Sequence, residues 1–288
     1  MLPSDPSTGE EGSMAENTPV NSQITDFAAP EAAAAGLPVG RFVWHDLMTT
    51  DIAQAQQYYT DLLGWTYKNF DTPGGGGNYP MIHAAGTEWG GLIPTEPGRP
   101  AQWVSYVTVP DVDAAVAAAQ AKGGQVMVPA MDIPTVGRFA YVTGPNGGTI
   151  APFTPMTRSG ETPDAAPAPG TFVWHELLAR DRAADGAFFA EIFGWRIEEA
   201  AMGERGTYYI FKRLDTEKDA GGLLQMPTEA PGPSAWVPYV QVESADATAA
   251  RTKELGGKVW VEPRDIPGVG RFTVTSDPMG AMIAFLQP

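Results

Sequence analysis

The chain contains no cysteine, which excludes disulfides and thiolate metal sites. It has three histidines, His45, His83 and His175, so an imidazole-rich metal centre has little to draw on. Cations are scarce as well: 18 Lys and Arg stand against 34 Asp and Glu, for a formal charge of −16. That sign is wrong for phosphate backbones, and nucleic acid is not expected as a partner. No apolar run approaches the roughly 20 residues that span a bilayer, so no membrane partner is expected either. The N-terminus shows no basic region followed by an apolar one, which leaves the cytoplasm as the expected location.

What is present occurs twice. Gly40-Arg41-Phe42-Val43-Trp44-His45-Asp46-Leu47 returns as Gly170-Thr171-Phe172-Val173-Trp174-His175-Glu176-Leu177. Leu63-Gly64-Trp65 is answered by Phe193-Gly194-Trp195, and the pair Gly90-Gly91 by Gly221-Gly222. Trp103-Val104-Ser105-Tyr106-Val107 is answered by Trp236-Val237-Pro238-Tyr239-Val240. Gly137-Arg138-Phe139 is answered by Gly270-Arg271-Phe272. The offset drifts only from 130 (44 to 174) to 133 (138 to 271), so the chain is a tandem duplication. Its chemistry is expected at the repeated positions.

Residues 1–39 carry Asp5, Glu10, Glu11, Glu16, Asp26 and Glu31 without a Lys or Arg, six of the sixteen net charges. Rich in Pro, Ser, Ala and Gly, they are expected to form a disordered acidic tail. A proline-rich stretch over 157–169 reads as a linker between two domains, 40–156 and 170–288. In the first half, Arg41 to Met48 reads as a buried strand. Thr50 or Asp51 then caps a helix whose stripe is Ile52, Ala55, Tyr59 and Leu62, and Gly64 stops it. Strands follow, broken by the Gly74–Gly77 run, which lacks the Lys-Ser/Thr of a phosphate loop. A second strand, an alanine-rich helix after Asp111 and three more strands complete the half. The second half repeats this with helices over 181–193 and 244–255. The pattern predicts an α+β protein of two tandem domains, each a pair of βαβββ modules curled into a cupped half-barrel.

This architecture resembles the vicinal oxygen chelate family, which includes glyoxalase I, extradiol dioxygenases, fosfomycin-resistance proteins and bleomycin-binding proteins. The matching residues are Thr49-Thr50-Asp51, Tyr58-Tyr59, Leu62-Leu63-Gly64-Trp65 and Gly144-Pro145-Asn146-Gly147 with Ile150. In the second half they are Phe188-Phe189, Ile192-Phe193-Gly194-Trp195 and Asp277-Pro278-Met279-Gly280 with Ile283. The resemblance covers nearly all of 40–156 and 170–288, and it implies the fold more than the reaction. Metal-dependent members use a His or Gln on the first strand of a module and a Glu on its last. Here the closing Glu positions fall on Ala151 and Ala284, and the second-module His falls near Val104 and Val237. Gly90-Gly91-Leu92 offers no ligand. No metal and no other cofactor is therefore expected.

If Trp44 takes the family's first ligand position, the period of two turns Trp44, Asp46 and Met48 into the cup and His45 towards the helices. His45 and His175 are then structural; a one-residue shift would make each a general base or a lone ligand. Asp46 and Glu176 are candidate general bases, raised in pKa by an apolar cup. The plain reading is a carboxylate paired with Arg138 or Arg271, or with backbone N–H groups. Tyr106 and Tyr239 point into the cups by the same register. Trp44, Trp65, Trp103 and Phe139, with Trp174, Trp195, Trp236 and Phe272, are either core or the flat walls of pockets. Arg138 and Arg271 either hold a ligand anion or tie down a loop.

The leading expectation is metal-independent binding of a small aromatic molecule, by a monomer acting as a pseudo-dimer or by a homodimer. A metal-free lyase, isomerase or cyclase using the carboxylates and tyrosines is the alternative. A dioxygenase-like enzyme with an atypical metal at His45 or His175 is the weaker one.

Overall fold

The computed structural model describes residues 37–71, 78–96, 98–156, 167–201 and 207–288. The tail to residue 36, the Gly74–Gly77 run and linker residues 157–166 lie outside them. In the first half the order is β1 (Phe42–Thr49), α1 (Ile52–Leu63), β2 (Thr66–Asp71), β3 (Asn78–Ala84), β4 (Thr87–Pro94), β5 (Gln102–Thr108), α2 (Val112–Ala121), β6 (Gln125–Ile133), β7 (Gly137–Gly144) and β8 (Gly147–Pro155). The second half repeats it. Its elements are β9 (Phe172–Ala179), α3 (Arg182–Phe193), β10 (Trp195–Ala201), β11 (Thr207–Arg213), β12 (Asp219–Gln225), β13 (Ala235–Gln241), α4 (Ala245–Glu254), β14 (Lys258–Ile266), β15 (Gly270–Ser276) and β16 (Met282–Gln287). The α+β duplication expected from the sequence is the fold.

The helices start and stop for local reasons. Asp51, Asp111, Asp181 and Ser244 each accept the backbone N–H three residues on, as N-caps do. After α1 and α3 the chain turns through left-handed Gly64 (φ 70°) and Gly194 (φ 67°), where a side chain would be strained.

Each half makes one eight-stranded sheet, ordered β2-β3-β4-β1-β5-β8-β7-β6 and β10-β11-β12-β9-β13-β16-β15-β14. The central pair β1–β5 is antiparallel, and parallel β1–β4 and β5–β8 pairs flank it. β1 is therefore where the two modules of the half join. Neither sheet closes, and both helices of each half lie on the same face.

That helical face is not buried within its own half. Tyr58 and Tyr59 of α1 share one core with Trp65, Trp103 and Phe172, and with Val240, Val242, Ile283 and Phe285 of the second half. Val112, Ala115 and Ala119 of α2 share the other with Phe188, Phe189, Ile192, Phe193 and Trp195. Polar ties cross at the same places. Trp195 Nε1 donates to Gly40 O at 2.8 Å, and Trp65 Nε1 to Gly170 O at 2.8 Å. Tyr59 Oη donates to Asp277 at 3.1 Å, and Asn146 Nδ2 donates to buried Asp185 at 2.9 Å. Gly40 is needed twice over: its φ is 76°, and a Cβ there would overlap the Trp195 indole.

His45 and His175 meet where β1 and β9 approach each other, Nε2 to Nε2 at 2.7 Å. Each ring stacks on the other half's phenylalanine: His45 on Phe172 and His175 on Phe42, both at 3.7 Å between centroids. His45 Nδ1 lies 2.9 Å from the Trp89 carbonyl, which can only accept. Nδ1 therefore carries the proton, Nε2 of His45 accepts, and His175 donates from Nε2. Both rings are neutral. Burial drives the pKa of His45 from 6.5 to about 4, and pushes His175 well below its usual value, with the neighbouring His45 adding to the fall.

Between about 6.5 and 4 the unfolded chain binds protons that the folded chain refuses, so these histidines make stability fall with falling pH. The slope is up to about 1.4 kcal/mol per pH unit for each. Asp46 and Glu176, raised in pKa by burial, act in the opposite sense over their own range. Imidazole NMR at pH 5.5 is expected to show two neutral tautomers, Nδ1–H on His45 and Nε2–H on His175. A titration midpoint at or above pH 6 for either ring would contradict this arrangement.

Candidate functional site

With every helix used on the back, the front of each sheet is a concave apolar surface. In the first half it comprises Val104, Tyr106, Phe139, Tyr141 and Ala151, with half-buried Trp44, Met48, Ile93, Met127 and Phe153. In the second it comprises Val237, Tyr239, Phe272, Val274 and Ala284, with Trp174, Leu178, Val261 and Leu286 among the half-buried residues. Strand β1 decides what faces it. A bulge at Val43 places Phe42 on the back while Val43 and Trp44 share the front, and strict alternation then runs through His45, Asp46 and Leu47.

A buried carboxylate lies at the floor of each cup. Asp46 is 3% exposed and is ringed by phenols. Oδ2 accepts from Tyr106 at 2.6 Å and Tyr141 at 3.1 Å, Oδ1 accepts from Tyr79, and Trp44 Nε1 donates to Tyr79 Oη at 2.7 Å. Burial raises the Asp46 pKa, and the four side-chain hydrogen bonds around it pull the other way. The phenols are pushed well above the usual tyrosine range, by burial first and by the carboxylate second. They remain protonated donors.

Glu176 is the counterpart, 8% exposed. Tyr208 donates to Oε1 at 2.9 Å, Tyr239 to Oε2 at 2.8 Å, and Trp174 Nε1 to Tyr208 Oη at 3.0 Å. Burial again raises the pKa, and the two phenols and the Arg264 charge lower it. The third phenol is missing because Val274 stands where the first half has Tyr141. The carboxylates thus pair with tyrosines, and neither with Arg138, Arg271 nor with backbone N–H groups.

The glycine pairs make room for these clusters. A Cβ on Gly90 or Gly221 would run into the carbonyl oxygen of His45 or His175 across the parallel ladder. A Cβ on Gly91 or Gly222 would overlap the Tyr79 or Tyr208 phenol. Neither Gly91 nor Gly222 has positive φ, so the constraint is steric.

Several candidate residues lie elsewhere. Trp65, Trp103, Trp195 and Trp236 are packed in the back cores, because each follows or precedes its helix on the helical side of the sheet; they are not cup walls. His45 and His175 are likewise sealed behind the cups and touch no cavity chemistry. Arg138 binds Asp113 at 2.9 Å and Asp132 at 3.1 Å, and Arg271 binds Asp246 at 2.6 Å and Asp265 at 2.9 Å. Each ties its strand to a helix start and to a hairpin. Trp44, Trp174, Tyr106, Tyr239, Phe139, Phe272, Asp46 and Glu176 are brought together at the cup floors.

Tyr79, Tyr141 and Tyr208 are floor residues that the motif reading of the sequence does not single out. Tyr79 and Tyr208 are themselves a repeated pair at offset 129, a signal that was available. The donor set does not suit a divalent ion. The strand neighbours of Asp46 are Gly91 and Val104, and Ala151 lies beside Tyr106. Among the described residues no three His, Cys, Asp or Glu converge.

The model of the Glyoxalase/Bleomycin resistance protein/Dioxygenase superfamily matches residues 41–151 and 172–285. The chain is similar to the putative glyoxylase CFP32 of Mycobacterium tuberculosis, 39% identical over 250 residues, 85% of this chain and 94% of that one. It is similar to the anthracycline biosynthesis protein DauV of Streptomyces sp. (strain C5), 30% identical over 264 residues, with 86% and 93% covered. Among solved structures it resembles a Mn(II)-bound glyoxalase from Novosphingobium aromaticivorans, with a TM-score of 0.58 at 17% identity, covering 86% of this chain and 82% of that one.

Gly91→Ala is expected to displace the Tyr79 phenol from Asp46. Overpacking costs about 1–3 kcal/mol, and losing a hydrogen bond to a charged group costs about as much again. Urea unfolding should show a loss of at least about 2 kcal/mol, relieved in part by adding Tyr79→Ala. A Gly91→Ala protein as stable as the parent would refute this role for the glycine.

Proposed function

The chain belongs to the Glyoxalase/Bleomycin resistance protein/Dioxygenase superfamily, and we propose that it binds a planar aromatic small molecule in its cups without using a metal ion. The observation that carries this reading is the saturation of the floor carboxylate. Both Asp46 oxygens are engaged by phenols, three in all, so the group offers no free base to a substrate. A general base must reach the proton it abstracts, and this one is walled off. What surrounds it on the front is flat and apolar: Trp44, Phe139, Phe153 and the methionines of the first cup, Trp174 and Phe272 of the second. Such surfaces suit fused aromatic rings. Similarity to DauV, named for anthracycline biosynthesis, favours a polycyclic ligand of polyketide type. The protein would then act as a carrier or a sequestering partner.

The second reading is metal-free proton transfer. It is favoured by the raised pKa values of Asp46 and Glu176 and by their direct bonds to Tyr106 and Tyr239. One pair of variants separates the two. Under the binding reading, Asp46→Asn keeps the affinity for an anthraquinone ligand within about threefold, because the amide still bonds the phenols without touching the ligand. Trp44→Ala weakens it about tenfold or more, the equivalent of roughly 1.4 kcal/mol of lost ring contact. Tryptophan fluorescence quenching reads both. Turnover of any ligand that disappears in Asp46→Asn would instead favour the enzyme.

A further inference from the structure

The two cups are not chemically equivalent. Arg264 on β14 stands where β6 carries Met131, one residue before the matched Asp265 and Asp132. The register shift between Val261 and Arg264 brings this side chain over the front of the sheet. Its guanidinium carbon lies 5.1 Å from the centre of the Phe272 ring, a floor residue of the second cup. Its charge is felt by Glu176, favouring the ionised form. The neighbouring acids are otherwise engaged: Asp265 binds Arg271 at 2.9 Å, and Glu262 binds Lys253 at 2.8 Å. Among the described residues Arg264 forms no ion pair, and the side chain is exposed.

The first cup lacks this group. Met131 is 49% exposed and neutral, and the carboxylate there is held by a third phenol, Tyr141. Lys68 lies on β2, at the opposite edge of the first sheet from β6. Of the other cations near the second sheet's far edge, Lys212 and Arg196 are bound up with Asp219, Glu198 and Glu217.

Building on the binding reading above, we propose that Arg264 makes the second cup selective for a planar aromatic acid, while the first cup takes a neutral ring system. A guanidinium pairs with a carboxylate through two parallel N–H donors, and five donors suffice to face a ligand and Glu176 together. Lying over the Phe272 ring at 5.1 Å, the guanidinium sits beside the apolar floor that a flat ligand would cover. Because the site opens to solvent, its contribution is screened by salt.

The test compares anthraquinone-2-carboxylate with anthraquinone-2-carboxamide by calorimetry on the full chain at pH 7.5. The acid is expected to bind one site per chain about tenfold more tightly than the amide, with an advantage that shrinks as salt rises from 50 to 500 mM. Arg264→Met should abolish the preference, Arg264→Lys should retain part of it, and Lys68→Met should leave it unchanged. Met131→Arg should create a second acid-selective site. Equal affinity for acid and amide, or a preference that survives Arg264→Met, overturns this inference and leaves the binding reading intact. Absence of binding by either probe overturns the binding reading and this inference with it.

Discussion

One geometric constraint organises the molecule: a four-stranded module with a single helix cannot cover its own apolar back. Duplication within the half leaves the same deficit at twice the size, because two helices lie on eight strands. The deficit is met by a second copy. α1 shares its core with β13 and β16 of the other half, and α2 shares its core with α3. The two halves are thus one folding problem. The front faces are what is left over, helix-free and partly apolar, centred on Tyr106 in one half and Tyr239 in the other.

The cup floors answer a second constraint. A carboxylate placed in an apolar cup costs several kcal/mol unless its oxygens are hydrogen-bonded. Arginines would supply the bonds, but Arg138 and Arg271 are spent on surface carboxylates. Phenols do it instead, donating without charge and packing their rings into the wall. They need space, and Gly91 and Gly222 provide it on the neighbouring strand. The aspartate, shorter by one methylene, has three phenols; the glutamate has two and a nearby guanidinium. Two local solutions satisfy the same burial cost.

Much of this was legible in the sequence because a repeat is a self-alignment. The octapeptide beginning at Gly40 gave the central strand, and its parity from Trp44 onward placed Asp46 at the front and His45 at the back. The Val43 bulge did no harm to that count, since it lies upstream. What the residues alone could not supply was depth. Trp65 and Trp195 look like pocket walls when tryptophan is weighed by type, yet each indole N–H is consumed by a glycine carbonyl of the other half. Nothing local in the sequence says that a partner carbonyl will be there. Weighting repeated positions also hid whatever differs between copies. Tyr141, whose counterpart is Val274, and Arg264, whose counterpart is Met131, carry no repeat signal for that reason.

The distribution of likeness and difference between the halves has a physical origin. A self-complementary interface requires the same patch from both sides, since each residue meets its counterpart's surroundings. Gly40 and Gly170 accept from Trp195 and Trp65, Phe42 and Phe172 stack on His175 and His45, and the two imidazoles bond each other. A change on one side alone would leave a buried donor without an acceptor or a ring without its stack, at about 1–3 kcal/mol. The seam along β1 and β9 is therefore locked into symmetry, whereas further out Tyr59 bonded to Asp277 is matched by Phe189 packed against Gly144. No such coupling reaches the fronts, which do not meet each other's chemistry. Met131 can stand in one copy where the other has Arg264, and Tyr141 where the other has Val274, without either half disturbing the other. The asymmetry that distinguishes the cups lies on surfaces where duplication does not forbid it.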